Sequence, residues 1–149
     1  MKTLTGDRGS RGQSAVEFAL TLPVLFLVIV GVFDFIRAIF HYNTLAEAAR
    51  EGTRYAMVHG SASGSPVGPG SATYTAPNQD SAVTAQVLSY AVAMDTSQIT
   101  VLSTWPDGDN VPGHRVQVEM RYSYVPLTSL IVGGASVPMR SVSEASVVY

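Results

Sequence analysis

The pattern of apolar and polar positions begins with one long uncharged run. No charged residue lies between Phe18 and Phe33, and Phe35–Phe40 extends the apolar stretch with a single cation, Arg37. Together these segments supply about the 20 residues that a helix needs to cross a bilayer. The pattern therefore predicts one transmembrane segment at about residues 15–40.

The helical period continues beyond this apolar run. Apolar or small residues recur at steps of three and four, which is typical of a helix with one packed face: Val28, Gly31, Phe35, Ala38, Tyr42, Leu45, Ala49, Gly52 and Ala56. We expect one continuous helix over 13–58, roughly 65 to 70 Å long. Ala49, Gly52 and Ala56 are small enough to allow close approach of another element. That element is either the chain's own C-terminal domain or a neighbouring subunit.

The composition changes after the helix. Residues 59–80 are rich in Gly, Ser and Pro and are expected to form a loop. Residues 81–149 predict a small domain that begins with a short helix up to Met94, capped by Ser81 or Asp80.

Three later segments have the character of strands: Gln98–Thr104, Arg115–Val125 and Ser136–Tyr149. The second alternates strictly, with Val116, Val118, Met120, Tyr122 and Tyr124 on its apolar face. The predicted fold class is therefore α+β, with a long N-terminal helix, a small C-terminal antiparallel sheet and one short helix.

The charges before the apolar run predict its orientation. Lys2, Arg8 and Arg11 outnumber Asp7, which favours a cytoplasmic N-terminus and an extracytoplasmic C-terminal domain. The run is longer than the apolar core of a removable secretory signal. The small residue that suits a cut, Gly12, also precedes the run. Processing there would remove a basic leader, residues 1–12, and leave the helix attached.

Glu17 is an acidic residue at the entrance of the apolar run. A charge in this position suggests a functional role with a partner. If the chain is cut before Gln13, the new α-amino group lies one helical turn away. Alternatively, Ser14 and Glu17 form a capping box that starts the helix. Both interpretations can hold together.

Three further residues of the apolar segment admit two interpretations each. Pro23 removes a backbone donor and predicts a kink, although a proline can also be tolerated in a membrane helix. Asp34 and Arg37 are three residues apart and can pair. Such a pair would mark the membrane boundary or contact another subunit.

The N-terminal residues resemble a known family. A short basic leader ending in glycine, a glutamate five residues later and then an apolar segment resemble type IV prepilins, and in particular TadE-like pseudopilins of the Tad (Flp pilus) system. The resemblance covers roughly the first 50 residues. The matching residues are Gly12, Ala15, Glu17, Phe18, Pro23, Gly31, Arg37, Ala48, Ala49, Arg50, Gly52, Arg54 and Ala56.

This resemblance implies cleavage between Gly12 and Gln13 by a membrane prepilin peptidase and a role for Glu17 in setting subunit register. It also implies that the subunit resides in the inner membrane and then assembles into, or initiates, an extracellular filament used for adhesion or secretion. The implied partners are other pilin or pseudopilin subunits, membrane lipid and an inner-membrane assembly machinery with an ATPase and a platform protein. The alternative is an uncleaved, signal-anchored protein whose extracytoplasmic domain binds a partner.

Composition and motifs limit the kinds of partner, catalysis and metal binding that the chain can have. The 149 residues include no cysteine and carry a net charge of −2, so disulfides are excluded and nucleic acid is not an expected partner. We find no nucleophile with a base and no phosphate-binding loop, and therefore expect no enzyme and no cofactor. Asp107 and Asp109 suit a turn better than a cation site. The isolated residues His41, His59 and His114 are expected at a surface or interface, without a metal.

Overall fold

The computed structural model describes residues 8–68, 71–75, 81–134 and 136–149. Most of the predicted leader, including Lys2 and Asp7, lies outside these residues. The same holds for Asp80, the alternative helix cap.

The long helix, α1, extends over Arg8–Val58 without interruption. Its 51 residues give a length of about 75 Å. The helix ends where the sequence predicted but starts earlier, within the leader. Ser14 and Glu17 consequently lie inside the helix, not at its start, so the uncleaved chain does not use them as an N-terminal capping box.

A four-stranded antiparallel sheet forms the second layer. Its strands follow chain order, as β1 (Ser71–Thr75), β2 (Ile99–Thr104), β3 (Arg115–Tyr124) and β4 (Val137–Ser146). The longest pairing joins β3 to β4, with Arg115 opposite Ser146 and Tyr124 opposite Val137. The sheet packs against the second half of α1 through β3 and β4.

A short helix, α2 (Ala82–Tyr90), completes the core beside α1. The Ser81 hydroxyl accepts a hydrogen bond from the Thr84 backbone N–H at 3.1 Å, which satisfies one of the free donors at the helix start. The predicted Ser81 cap is therefore present. A 3₁₀ turn (Thr96–Gln98) then leads into β2.

The core lies between the sheet and the two helices. The five residues predicted for the apolar face of β3 are all buried, and they pack with Leu45, Ala48 and Ala49 of α1 and with Val83 and Val87 of α2. The predicted α+β architecture is thus confirmed, with the chain's own domain covering the second half of the helix.

Besides the 3₁₀ turn, two elements were absent from the prediction. Strand β1 lies inside the segment expected to be a loop, where it pairs with β2 through backbone hydrogen bonds. A four-residue helix, α3 (Ser129–Val132), lies in the connection between β3 and β4. The last strand is also shorter than expected, because β4 ends at Ser146 and leaves Tyr149 57% exposed.

Candidate assembly and membrane-facing site

The first half of α1 projects away from the domain. Every residue from 12 to 29 is exposed, including Phe18 at 64%, Leu20 at 71% and Phe26 at 59%. A soluble helix would turn such residues towards a core. This half of the helix therefore presents an apolar surface on all sides, and no other part of the described chain covers it.

Glu17 and Gln13 interact on this projecting half. The Gln13 amide Nε2 donates a hydrogen bond to Glu17 Oε1 at 3.1 Å, across one helical turn. Gly12, the residue before the expected cut, has no heavy atom within 4 Å of the position that a Cβ would occupy. The geometry thus places the Glu17 carboxylate within reach of a group at position 13.

Pro23 lies within the same unbroken helix. Pro23 leaves the backbone carbonyl of Ala19 without its usual donor, and the nearby Thr21 hydroxyl could in principle replace it. The Thr21 hydroxyl instead donates to the carbonyl of Glu17 at 2.6 Å. The kink at Pro23 stays a prediction.

Asp34 is the first buried residue of α1 after the exposed half. It is 7% exposed, and its carboxylate accepts hydrogen bonds from the backbone N–H groups of Leu127 and Thr128, both at 2.7 Å. The Tyr124 hydroxyl donates to the same carboxylate at 3.2 Å. Asp34 is therefore an acceptor for the start of the β3–β4 connection, and not the partner of Arg37 that its spacing suggested.

Arg37 and His41 lie beside this contact. The Arg37 guanidinium is positioned over the ring of Tyr124, with 5.9 Å between the guanidinium carbon and the ring centroid. His41 is 5% exposed, and its ring centroid lies 5.4 Å from those of Tyr122 and Tyr124. His41 was expected at a surface or an interface; it is not at the surface, and it lies enclosed by the two tyrosines of β3 where the sheet meets α1.

The buried stripe on α1 follows the predicted seam only in its second half. Ala49, Gly52 and Ala56 are buried there, and a Cβ at Gly52 would lie 2.3 Å from Val87 Cγ2. Nearer the apolar half, Asp34 and His41 replace the expected Phe35 and Tyr42, which are 67% and 53% exposed. The buried stripe is thus shifted by one residue here, where Asp34 bonds to the β3–β4 connection and His41 packs against the rings of Tyr122 and Tyr124.

A cluster of charges on the other face of the sheet was not predicted. Glu119 is 4% exposed and accepts hydrogen bonds from Arg140 Nε and Nη2 at 2.7 and 2.8 Å, and from Arg121 Nε. The hydrogen bonds from Arg140, together with those from Arg121, lower the pKa of Glu119 to about 2 despite its burial. Sequence alternation placed Glu119 on the polar face but could not give the register that brings Arg140 beside it.

The turn between β2 and β3 uses its carboxylates internally. Asp107 accepts hydrogen bonds from the backbone N–H and the guanidinium of Arg115, both at 2.8 Å. Asp109 pairs with His114. Within the described residues, no group of three or more potential ligands is arranged to hold a metal ion.

One helix among the described residues is long and apolar enough to cross a membrane, over Gly12–Val58. The match to known families falls on this helix: residues 12–54 fit the model for TadE-like proteins. No curated protein and no solved structure matches the chain. The family match covers less than a third of the chain, and it makes the N-terminal helix similar to TadE-like proteins, a family related to the Tad pilus.

Proposed function

We propose that the chain is a prepilin, cleaved between Gly12 and Gln13, that assembles into or initiates a Tad-type pilus. The observation that carries the proposal is the apolar half of α1, whose side chains are exposed from residue 12 to residue 29. So much apolar surface requires a non-aqueous environment. A bilayer before assembly and neighbouring helices after assembly both provide one.

The dimensions of the helix agree with a bilayer stage. Residues 14–33 extend over about 30 Å, which matches the hydrocarbon core of a membrane. Asp34 follows at once and is bonded to the domain. We therefore place the membrane boundary near Phe33, with the N-terminus in the cytoplasm and the domain outside.

Glu17 sets the axial register in this proposal. Cleavage would give Gln13 a cationic α-amino group, and the Glu17 carboxylate already accepts a hydrogen bond from the side chain at that position. In hydrocarbon an unpaired carboxylate is costly, whereas a paired one is tolerated. A subunit that aligns its amine with the carboxylate of a neighbour would therefore be favoured over one shifted along the filament axis.

The proposed processing and assembly of the subunit imply its partners. A prepilin peptidase removes the leader, membrane lipid surrounds the helix before extraction, and an inner-membrane ATPase and platform protein drive assembly with other pilin or pseudopilin subunits. The TadE-like match over residues 12–54 supports a place in this system.

A paired substitution tests the proposal. Glu17→Ala should leave membrane insertion and folding intact but greatly reduce the chain in filaments sheared from cells. Glu47→Ala is the control, because Glu47 is also an exposed acid of α1, with a 58% exposed side chain and a partner, Arg50, at 3.6 Å. Equal filament incorporation for the two variants would refute the register role.

A further inference from the structure

The connection between β3 and β4 is unusually apolar for an exposed segment. No charged residue lies between Arg121 and Arg140. Within this interval Val125 is 53% exposed, Leu130 is 83% exposed and Ile131 is 56% exposed. Adjacent exposed aliphatic residues of this kind indicate a contact surface.

The direction of β3 brings this connection to the membrane end of the domain. A Cβ at Gly52 would lie 3.3 Å from Val118, His41 packs on Tyr122, and Asp34 bonds to Tyr124. The strand thus advances towards the N-terminus of α1 as its residue numbers rise.

Strand β4 runs the opposite way. Thr53 donates to the Ser143 carbonyl at 3.2 Å, and the Val148 N–H donates to the Met57 carbonyl at 2.9 Å. The start of β4 therefore lies at the same end as the end of β3. The β3–β4 connection therefore lies nearer to the apolar half of the helix than either strand does.

Hydrogen bonds fix the position of the β3–β4 connection along the axis of α1. Asp34 holds the backbone N–H groups of Leu127 and Thr128, and it directly follows Phe33, the last residue of the uncharged run. The connection consequently begins level with the proposed membrane boundary and continues beyond Thr128 into α3.

We infer that residues 125–134 form a second membrane contact, in which Leu130 and Ile131 enter the headgroup–acyl boundary beside α1. This inference rests on the proposed membrane span. Interfacial elements insert about 5–10 Å into this boundary. Arg121 on β3 lies opposite Arg140 on β4. Each arginine is about 10 Å from the end of its strand that adjoins the connection, which is a distance suited to contact with lipid phosphates.

Site-specific fluorescence provides the test. Because the chain has no cysteine, Leu130→Cys gives a single attachment point for an environment-sensitive dye. The matched control is Val148→Cys, since Val148 is 50% exposed at the opposite end of the domain. Leu27→Cys, within the uncharged run, reports on the span itself. The full chain is reconstituted in phosphatidylcholine–phosphatidylglycerol vesicles, with and without lipids brominated near the headgroup or deep in the acyl chain.

We expect shallow bromines to quench the dye at position 130 at least about twofold more than the dye at 148, and deep bromines to quench the dye at 27. Deep quenching at 27 with no excess quenching at 130 would overturn the inference and leave the span intact. Absence of quenching at 27 would instead refute the span. A blue shift at 130 that lipid bromines do not quench, and that grows with protein density, would assign this surface to a second copy of the chain and overturn the lipid contact.

Discussion

Asp34 on α1 accepts a hydrogen bond at 2.7 Å from the backbone N–H of Leu127, which lies 93 residues later in the chain. The adjacent N–H of Thr128 donates to the other carboxylate oxygen at the same distance. A side chain of the helix thereby supplies the acceptors that the backbone needs where β3 ends. This contact ties the domain to the helix at the edge of the apolar run.

Removing this carboxylate should release the connection. Asp34→Ala leaves the backbone N–H groups of Leu127 and Thr128 without their acceptor, whereas the Tyr124 hydroxyl keeps the backbone carbonyl of residue 34, to which it also donates at 3.1 Å. Hydrogen–deuterium exchange of the full chain in micelles should then show faster exchange at Leu127 and Thr128. The middle of β3, near Val118, should keep its protection.

Arg37→Ala is the control for Asp34. Since Arg37 lies over the Tyr124 ring and does not bond to Leu127 or Thr128, its loss should leave the exchange of those two amides near the wild-type rate. Loss of their protection in Arg37→Ala, with retention in Asp34→Ala, would contradict the assigned roles.

Alanine substitutions at Gly52 and Gly31 of α1 should affect stability differently, because Gly52 lies in the packed half of the helix and Gly31 next to the projecting half. Alanine at either position gains helix propensity of up to about 1 kcal/mol. At Gly52, however, the new Cβ would lie 2.3 Å from Val87 Cγ2 in the core, so Gly52→Ala should destabilise the domain by about 1–2 kcal/mol. Unfolding monitored by the fluorescence of Trp105, which is 8% exposed, measures this change.

Gly31→Ala serves as the matched control, because no heavy atom lies within 4 Å of its would-be Cβ. Its unfolding midpoint should equal or slightly exceed that of the wild type. Equal destabilisation at both positions would mean that the tight contact at Gly52 does not limit packing.

The Glu119 cluster predicts a specific response to acid. Its pKa falls from 4.5 to about 2 in the folded chain, chiefly because Arg140 bonds to the carboxylate. A lowered folded-state pKa stabilises the protein above the unfolded value and ceases to do so as the pH falls towards 2. Glu119→Gln should therefore cost about 2 kcal/mol at pH 7 and almost nothing near pH 2.

Glu144→Gln provides the comparison. Glu144 has a 42% exposed side chain and lies 3.8 Å from Arg115, so its removal should cost less than about 1 kcal/mol. Urea unfolding of both variants across this pH range is the measurement. A constant difference between Glu119→Gln and the wild type at all pH values would exclude the ionised carboxylate as the source of stability.

Much of the fold was predictable because local patterns suffice for it. The alternation in β3 gave its buried face, the helical period gave the end of α1 at Val58, and the serine before α2 gave its cap. Each of these features depends on neighbours within a few residues of the chain.

The features that sequence reasoning missed depend on distant residues. In the sequence, Asp34 and Glu119 are acidic residues without an evident distant partner. The packing of β3 against α1 reveals the partner of Asp34, and the register of β4 reveals that of Glu119. Strand β1 consists of small and hydroxyl-bearing residues with a single tyrosine, and its pairing with β2 is a backbone property that composition does not display. The spacing of Asp34 and Arg37 suggested an ion pair within the helix, because the sequence does not reveal that Leu127 and Thr128 are the partners of Asp34.

The central claim is that the chain is cut after Gly12 and retains its apolar helix. The most direct measurement is intact-mass spectrometry of the chain isolated from the membranes of cells that contain the pilus machinery, alongside Gly12→Ala. Alanine fits the space around Gly12, so this variant should block processing without disturbing the helix. We predict a wild-type chain that begins at Gln13 and a variant that retains the leader. A wild-type chain that keeps Met1 in the presence of an active peptidase would contradict the account and favour an uncleaved membrane anchor.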